Sequence, residues 1–103
     1  MKEIQEKIKK FCKENNLNCP IEHRTLDLIS EVGELSKEIL KMSDYGTKPI
    51  KPREEITSEI GDVLFSLTIL ANQLNIDLEK ALNLVLEKYK KRLKKGSAGS
   101  ENE

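Results

Sequence analysis

A six-residue motif occurs twice in this chain of 103 residues, first as SEVGEL and again, 28 positions later, as SEIGDV. Each copy carries two carboxylates three residues apart, so on a helix both would project from one face, about 5–6 Å apart at Cβ. The acids are Glu31, Glu34, Glu59 and Asp62. Two such helices side by side would bring four carboxylates together, and like charges at short range raise one another's pKa values. Because a bound divalent cation relieves this repulsion, the motif predicts a metal site.

The residue types at this site favour a hard cation. Ligand sets made only of oxygen suit Mg²⁺, Mn²⁺ or Ca²⁺ better than zinc or copper. Di-iron bundles need a Glu-x-x-His motif on two helices, and the single histidine, His23, is not part of one. Carboxylate-bound Mg²⁺ keeps several waters and recruits substrate phosphates, and such ions can activate a water for attack on a phosphoanhydride. The acids therefore indicate Mg²⁺, with Mn²⁺ as a substitute, and chemistry on a nucleotide polyphosphate.

The motif also places a glycine between the two acids of each pair, at Gly33 and Gly61. Glycine within a helix costs about 1 kcal/mol relative to alanine, and the chain accepts this cost at the same place twice. We therefore expect another backbone to approach closely at both glycines. Apolar residues adjoin the acids in both copies, so we expect the acids at the edge of a buried stripe.

Four segments with helical periodicity must position the motifs. They are predicted to run over residues 2–15, 21–42, 54–74 and 78–94. Residues 43–53 contain a glycine and two prolines and predict a loop, and Asp77 is placed to cap the fourth helix. No segment alternates with a period of two, so we expect an all-α fold, a four-helix bundle completed by oligomerisation. Residues 1–95 would form the domain, and residues 96–103 a disordered tail.

The apolar faces predict how the helices pack. The second helix presents one broad apolar face, formed by Leu28, Val32, Leu35, Ile39 and Met42. The fourth helix is expected to bury a stripe formed by Leu78, Ala81, Leu82, Val85, Leu86 and Tyr89. The second half of the third helix is apolar nearly all round, which is not expected of a helix with one solvent-exposed face. We expect a homodimer or higher assembly to cover this surplus, with Phe65, Ile69 and Leu70 buried by bundle packing.

Composition argues against several classes of function. Lys and Arg total 18, as do Asp and Glu, so no net field draws the chain to nucleic acid or to an anionic membrane. Aromatic residues make up 4% and Trp is absent, which disfavours a base-stacking platform. Residues 1–10 lack the apolar run of a signal peptide, so we expect a cytoplasmic protein. Cys12 and Cys19 are expected to be free thiols.

The spacing of the acids resembles the signature of the MazG-like all-α nucleoside triphosphate pyrophosphohydrolases. Glu31-x-x-Glu34 is followed, after 24 intervening residues, by Glu59-x-x-Asp62. The similarity covers residues 21–92, and the chain is similar to the branch that includes nucleotide-pool dCTPases. The resemblance implies that the four acids bind Mg²⁺ and serve catalysis. It also implies that water attacks the α–β phosphoanhydride, which releases a nucleoside monophosphate and pyrophosphate.

This chain departs from the family pattern beside each acid pair. Many members carry a further Glu immediately before each pair, where this chain has Ser30 and Ser58. A base that helps to orient water is therefore either absent or supplied differently. Some relatives similar to the dCTPases also lack this residue.

The resemblance also implies substrate-binding residues. Members often carry an Asn-x-Lys-x-x-x-Arg run on the last helix for phosphate contact, and this chain has Lys88 and Arg92, with Leu86 in the place of the Asn. His23 resembles part of a segment that lies near the base in relatives. Ordinary solvated charge is an equal alternative for Lys88 and Arg92, and a surface histidine at a helix start is an equal alternative for His23.

Three functions remain open at this point. The first is a Mg²⁺-dependent nucleotide pyrophosphohydrolase of the house-cleaning type. The second is a phosphoribosyl-ATP pyrophosphohydrolase, which would share the helices and the acids. The third is a non-catalytic helical interaction module in which the metal cluster is structural.

Overall fold

The part of the chain that the structure describes, residues 1–96, folds into four α-helices and contains no strand. The structure is a computed structural model. The helices are α1 (Lys2–Glu14), α2 (Ile21–Lys41), α3 (Glu55–Gln73) and α4 (Leu78–Lys94). The predicted all-α class is confirmed, and every predicted helix end lies within one residue of the observed one. Of the predicted tail, residues 97–103 lie outside the described residues. None of the described helices combines the length and hydropathy needed to cross a bilayer.

The helix ends follow from local chemistry. Pro20 precedes α2 with φ −56° and ψ 149°, and proline suits this position because it needs no backbone hydrogen-bond donor. Asp77 caps α4 as predicted, since its carboxylate accepts hydrogen bonds from the backbone N–H groups of Glu79 at 2.9 Å and Lys80 at 3.1 Å. Asn75 takes a φ of 55° in the α3–α4 turn, a left-handed conformation that asparagine tolerates better than most residues.

Helices α2 and α3 form the most extensive helix pair and carry the two acid motifs. Helix α1 also packs against α3, where the rings of Phe11 and Phe65 meet edge to face with centroids 6.1 Å apart. The buried hydrophobic side chains of the described residues are Cys12, Ile69 and Ala71. Because α2 and α3 pack against each other, the prediction that the two acid-bearing helices lie side by side is confirmed. Cys12 on α1 and Cys19 in the α1–α2 loop are free thiols as predicted.

Gln5 ties α1 to the turn between α3 and α4. Its side-chain nitrogen donates to Asn72 Oδ1 at 3.0 Å and to the carbonyl of Ile76 at 2.8 Å. Its side-chain oxygen accepts from the backbone N–H of Leu78 at 2.9 Å. Asn72 Nδ2 in turn donates to the Gln5 carbonyl at 3.0 Å. These bonds hold the first turn of α4 against α1.

The predicted burial of the α4 stripe is wrong for a single chain. Leu78 and Ala81 are half-buried, but the rest of the stripe is exposed. The exposed members are Leu82, Val85, Leu86 and Tyr89. The reason is geometric, because α4 packs chiefly against α1 and the described residues place no long helix against its apolar face.

The predicted apolar face of α2 is only partly covered. Leu28, Leu35 and Met42 are half-buried, whereas Val32 and Ile39 are exposed. Residues 28, 35 and 42 recur every seven positions and form the narrow seam that meets α3. The other two residues lie beside this seam, outside the contact that α3 makes.

On α3 the residues expected at a subunit interface are covered within the chain. Ile69 is buried, Phe65 and Leu70 are half-buried, and exposed apolar residues lie elsewhere on the helix. Those exposed residues are Ile60, Leu64 and Leu67. The radius of gyration is 17.0 Å, compared with about 13 Å for a compact domain of 100 residues. The single chain is therefore an open arrangement of helices.

Candidate metal centre

Glu31 on α2 and Glu59 and Asp62 on α3 converge at the α2–α3 interface. One carboxylate oxygen from each of the three residues lies within 4.8 Å of the other two. Glu31 and Glu59 are half-buried, and Asp62 is exposed. Because Glu59 and Asp62 are three residues apart, they share one face of α3, and that face meets Glu31 where the helices pack. The structure thus brings together three of the four predicted ligands.

The fourth predicted ligand, Glu34, stands outside this group of three. Its side chain is exposed, but its charge contributes to raising the pKa of Glu59. Glu34 therefore lies at the margin of the same acidic cluster, one turn along α2 from Glu31.

The repulsion predicted from the sequence is evident at Glu59. Partial burial raises the pKa of its carboxyl group above the ordinary value, and neighbouring negative charges raise it further. The contributing charges are those of Asp62, Glu31, Glu34 and Glu38. Among residues 1–96, none of the four motif acids forms an ion pair with Lys, Arg or His. The cluster therefore has negative charge that the described part of the chain does not neutralise.

The cluster fits a hard divalent cation by donor type and by spacing. Two oxygens bound to the same ion lie at most about 4.2 Å apart for Mg²⁺ and about 5.2 Å apart for Ca²⁺, which is twice the usual bond length. The three ligand oxygens lie within 4.8 Å of one another, a separation of the same order as these limits. Glu31, Glu59 and Asp62 could thus hold such a cation.

A fifth acid, Glu38, was not predicted from the sequence. Its side chain is only 13% exposed, and its two oxygens accept hydrogen bonds from Lys41 Nζ at 3.3 Å and Arg53 Nε at 3.1 Å. Partial burial alone would raise the pKa of Glu38, but these hydrogen bonds and the two positive charges outweigh burial and hold it below the ordinary value. The sequence did contain a signal for Glu38, because the spacing of residues 31, 34 and 38 places them on one helix face.

The predicted close backbone approach at the two glycines is wrong for the single chain. A Cβ atom added at Gly33 or Gly61 would meet nothing within 4 Å. A helix packs through one face, and these glycines lie away from the contacts that α2 and α3 make. Ser30 and Ser58, which immediately precede the two acid pairs, are likewise exposed.

The predicted substrate-binding residues lie in the first turn of α2 and in the second half of α4. His23 is exposed in the first turn of α2, and Lys88 is exposed on α4. Arg92 is buried, and its guanidinium carbon lies 5.2 Å from the centroid of the Tyr89 ring. Neither basic residue is on a helix that carries the acids. Their assignment to phosphate, and that of His23 to the base, stays a prediction.

Comparison with known proteins identifies the family of the chain. Residues 21–97 match the family model described as the MazG nucleotide pyrophosphohydrolase domain. This match covers most of the chain and includes all four motif acids, and the chain belongs to this family. The family is described as one of nucleotide pyrophosphohydrolases, enzymes that act on phosphoanhydride bonds.

Individual relatives share both the sequence and the fold. The chain is 32% identical to a Bacillus-conserved MazG protein, described as a nucleotide pyrophosphohydrolase, whose crystal structure superposes with a TM-score of 0.72 over 85% of this chain and 86% of that one. The crystal structure of YpjD from Bacillus subtilis, described as a putative pyrophosphatase, gives a TM-score of 0.69 at 37% identity over 86% and 91% of the two chains. A sequence match to YpjD of Bacillus subtilis strain 168, described as uncharacterized, is 47% identical over 68 residues. That match spans 63% of this chain and 60% of the relative's length.

Proposed function

We propose that the chain is a Mg²⁺-dependent nucleotide pyrophosphohydrolase, which converts a nucleoside or deoxynucleoside triphosphate and water to the monophosphate and pyrophosphate. The observation that carries this proposal is the convergence of Glu31, Glu59 and Asp62 in a chain of the MazG family. Removal of unwanted triphosphates from the nucleotide pool, a house-cleaning role in the cytoplasm, would suit such an activity.

The motif acids would act as metal ligands, and Mn²⁺ would be able to replace Mg²⁺. When bound, a divalent cation would supply positive charge to the phosphoanhydride and lower the pKa of a bound water. Glu31, Glu59 and Asp62 would hold the cation, and Glu34 would join them from the margin of the cluster. Their number and negative charge support this role, because the described residues provide no cationic side chain that pairs with them.

Other residues would bind the nucleotide. Lys88 and Arg92 would hold the negative charge of the departing pyrophosphate, and His23 would lie near the base. The sequence contains no Gly-x-x-x-x-Gly-Lys loop, which γ-phosphate-transferring sites use to cradle the β and γ phosphates. This argues for cleavage between the α and β phosphates.

We also propose that the active form is a homodimer or tetramer. The exposed apolar residues of α3 and α4 support this assembly, because each large side chain that becomes fully buried contributes about 1.5–3 kcal/mol. A second chain would also cover the open side of the single-chain fold and bring further groups to the nucleotide.

The test is hydrolysis of a nucleotide panel with Mg²⁺, with products separated by chromatography. We expect a monophosphate and intact pyrophosphate, with activity retained in Mn²⁺ and abolished by a chelator. A nucleoside diphosphate as the main product would contradict the proposed bond cleavage. Asp62→Asn, which removes one ligand charge, should remove the activity and serves as the matched negative control.

The same panel separates the alternatives. Hydrolysis restricted to phosphoribosyl-ATP, included in the panel, would identify a phosphoribosyl-ATP pyrophosphohydrolase instead. Absence of hydrolysis for every nucleotide would favour a helical interaction module with a structural metal cluster.

A further inference from the structure

Glu38 and Arg53 link the two helices that carry the acids. Arg53 Nε donates to Glu38 Oε2 at 3.1 Å, and the terminal nitrogen NH2 of the same guanidinium lies 3.3 Å from Glu55 Oε2. Glu38 is on α2, Glu55 is the first residue of α3, and Arg53 lies two residues before it. One guanidinium group therefore bridges the last part of α2 and the first turn of α3.

This bridge lies next to the acid cluster. Glu38 is one turn beyond Glu34 on α2, and Glu55 is one turn before Glu59 on α3. The charge of Glu38 is among those that raise the pKa of Glu59, so the bridge and the cluster are within electrostatic reach. Because Glu31 meets Asp62 while Glu38 meets Arg53, the two helices run antiparallel and the bridge fixes one end of the pair.

The connection between α2 and α3 needs such a fixed point. Residues 42–54 separate the two helices and form a long loop with two prolines. The three ligands come from both helices, so they meet only when α3 has the right register against α2. A metal site tolerates little displacement of its ligands, and mutation of residues that only support the ligands lowers metal affinity by about 10–100-fold.

We propose that Arg53 and Glu38 are positioning residues for the metal centre, which set the register of α3 against α2 so that Glu59 and Asp62 meet Glu31. This inference rests on the metal site of the proposed function but concerns residues outside the motif. Arg53 acts through the placement of the ligands and not through its charge. A positive charge this close to the site opposes cation binding, so positioning and electrostatics predict opposite results when the charge is removed.

The experiment measures the Kd for Mn²⁺ alone, by isothermal titration and by the spectrum of free Mn²⁺ in electron paramagnetic resonance, without nucleotide. Arg53→Gln removes the charge and one of the bridging contacts, and we expect Mn²⁺ to bind about 10-fold more weakly. Arg53→Lys keeps the charge but has a single nitrogen for two carboxylates, and we expect it also to weaken binding. Lys48→Gln is the matched control, because Lys48 is an exposed cation of the same loop whose ion pair is with Asp44, at 3.7 Å.

The outcomes separate a positioning role from an electrostatic one. Unchanged or tighter Mn²⁺ binding by Arg53→Gln, or unchanged binding by Arg53→Lys, would overturn the proposal, whether or not the wild-type chain hydrolyses nucleotides. The double variant with Glu38→Gln and Arg53→Gln should bind Mn²⁺ about as weakly as the weaker-binding single variant, because each substitution breaks the same bridge. Thermal unfolding in chelator identifies any variant that is merely unfolded, and Arg53→Lys then carries the test. A wild-type chain without Mn²⁺ affinity would overturn both this inference and the proposed metal-dependent activity.

Discussion

Glu38 and Glu59 are neighbouring, half-buried carboxylates with opposite electrostatic surroundings. Glu38 accepts hydrogen bonds from two cationic side chains, which outweigh the effect of burial and lower its pKa. Partial burial and four negatively charged neighbours raise the pKa of Glu59. Glu59 has no cationic partner among the described residues. The charge of Glu38 is thus satisfied within the chain. The charge of Glu59 is left for a cation from solution, which is the physical basis of the proposed site.

Glu59→Gln tests this division of roles, since it removes one ligand charge with little change in shape. Mutation of a residue that only supports the metal ligands lowers metal affinity or activity by about 10–100-fold. Loss of a ligand itself should therefore lower kcat/KM by at least about 100-fold. In chelator at pH 7.5, however, the variant should melt at a higher temperature than the wild type, because ionised Glu59 is repelled by its neighbours. Because the pKa of Glu59 is raised by folding, this gain should disappear as the pH falls below about 4.5, its ordinary value, where the carboxyl is protonated in both states.

Glu14→Gln provides the control for this variant, because Glu14 is an exposed acid in the last turn of α1. It should leave both kcat/KM and the melting temperature near the wild-type values. Circular dichroism should show equal helix content in all three proteins. Full activity of Glu59→Gln would remove Glu59 from the site.

At the residue scale, spacing along a helix predicted most of the acidic site. The repeated motif is local, so it placed Glu59 and Asp62 on one face and matched them to Glu31 on the preceding helix. The same rule would have included Glu38. Arg53 had no such signal, because it lies in a loop and its partner is 15 positions away in sequence, so only the fold brings the two together.

At the scale of helices, the ends were predicted to within one residue because they depend on nearby chemistry. Proline before α2 and the Asp77 cap of α4 act within a few residues of themselves. Burial could not be predicted in the same way, because an apolar stripe shows that a face avoids water but not what covers it. For this reason the stripe on α4 was correctly located and yet is exposed in the single chain.

Gln5→Ala tests whether one side chain determines how α4 is held. The change leaves the Asn72 amide, the Ile76 carbonyl and the Leu78 N–H without the partner that each has now. Each buried group left without a partner costs about 1–3 kcal/mol, and alanine itself is favourable in a helix. Since this region is only partly buried, we expect the free energy of unfolding in urea to fall by about 1–3 kcal/mol in total.

Glu6→Ala is the matched control for Gln5→Ala, since Glu6 is the next residue on α1 and is exposed. It should change the free energy of unfolding by less than about 0.5 kcal/mol, as most surface substitutions do. Equal effects of the two substitutions would show that the hydrogen bonds of Gln5 contribute little to the fold.

At the scale of the whole molecule, the single chain has a small core for its size. Its buried hydrophobic side chains, within residues 1–96, are Cys12, Ile69 and Ala71, while long apolar side chains on every helix are exposed. Small domains depend on covering most of their apolar surface. The chain is electrically neutral overall, with 18 basic and 18 acidic residues, so net charge does not oppose association of copies. Self-association is therefore the expected source of the missing burial.

Leu82 and Leu84 offer a matched pair of substitutions for testing this assembly. They are two positions apart on α4 and so point to nearly opposite sides, with Leu82 in the exposed apolar stripe at 48% exposure and Leu84 away from it at 73%. Light scattering at micromolar concentration should give the wild-type chain at least twice its mass of 11.8 kDa. Leu82→Asp should shift the protein towards monomer and lower its melting temperature, because a charge cannot be buried cheaply in an apolar interface. Leu84→Asp should leave the assembly intact. A monomeric wild type, or equal disruption by the two variants, would show that this stripe is not the interface.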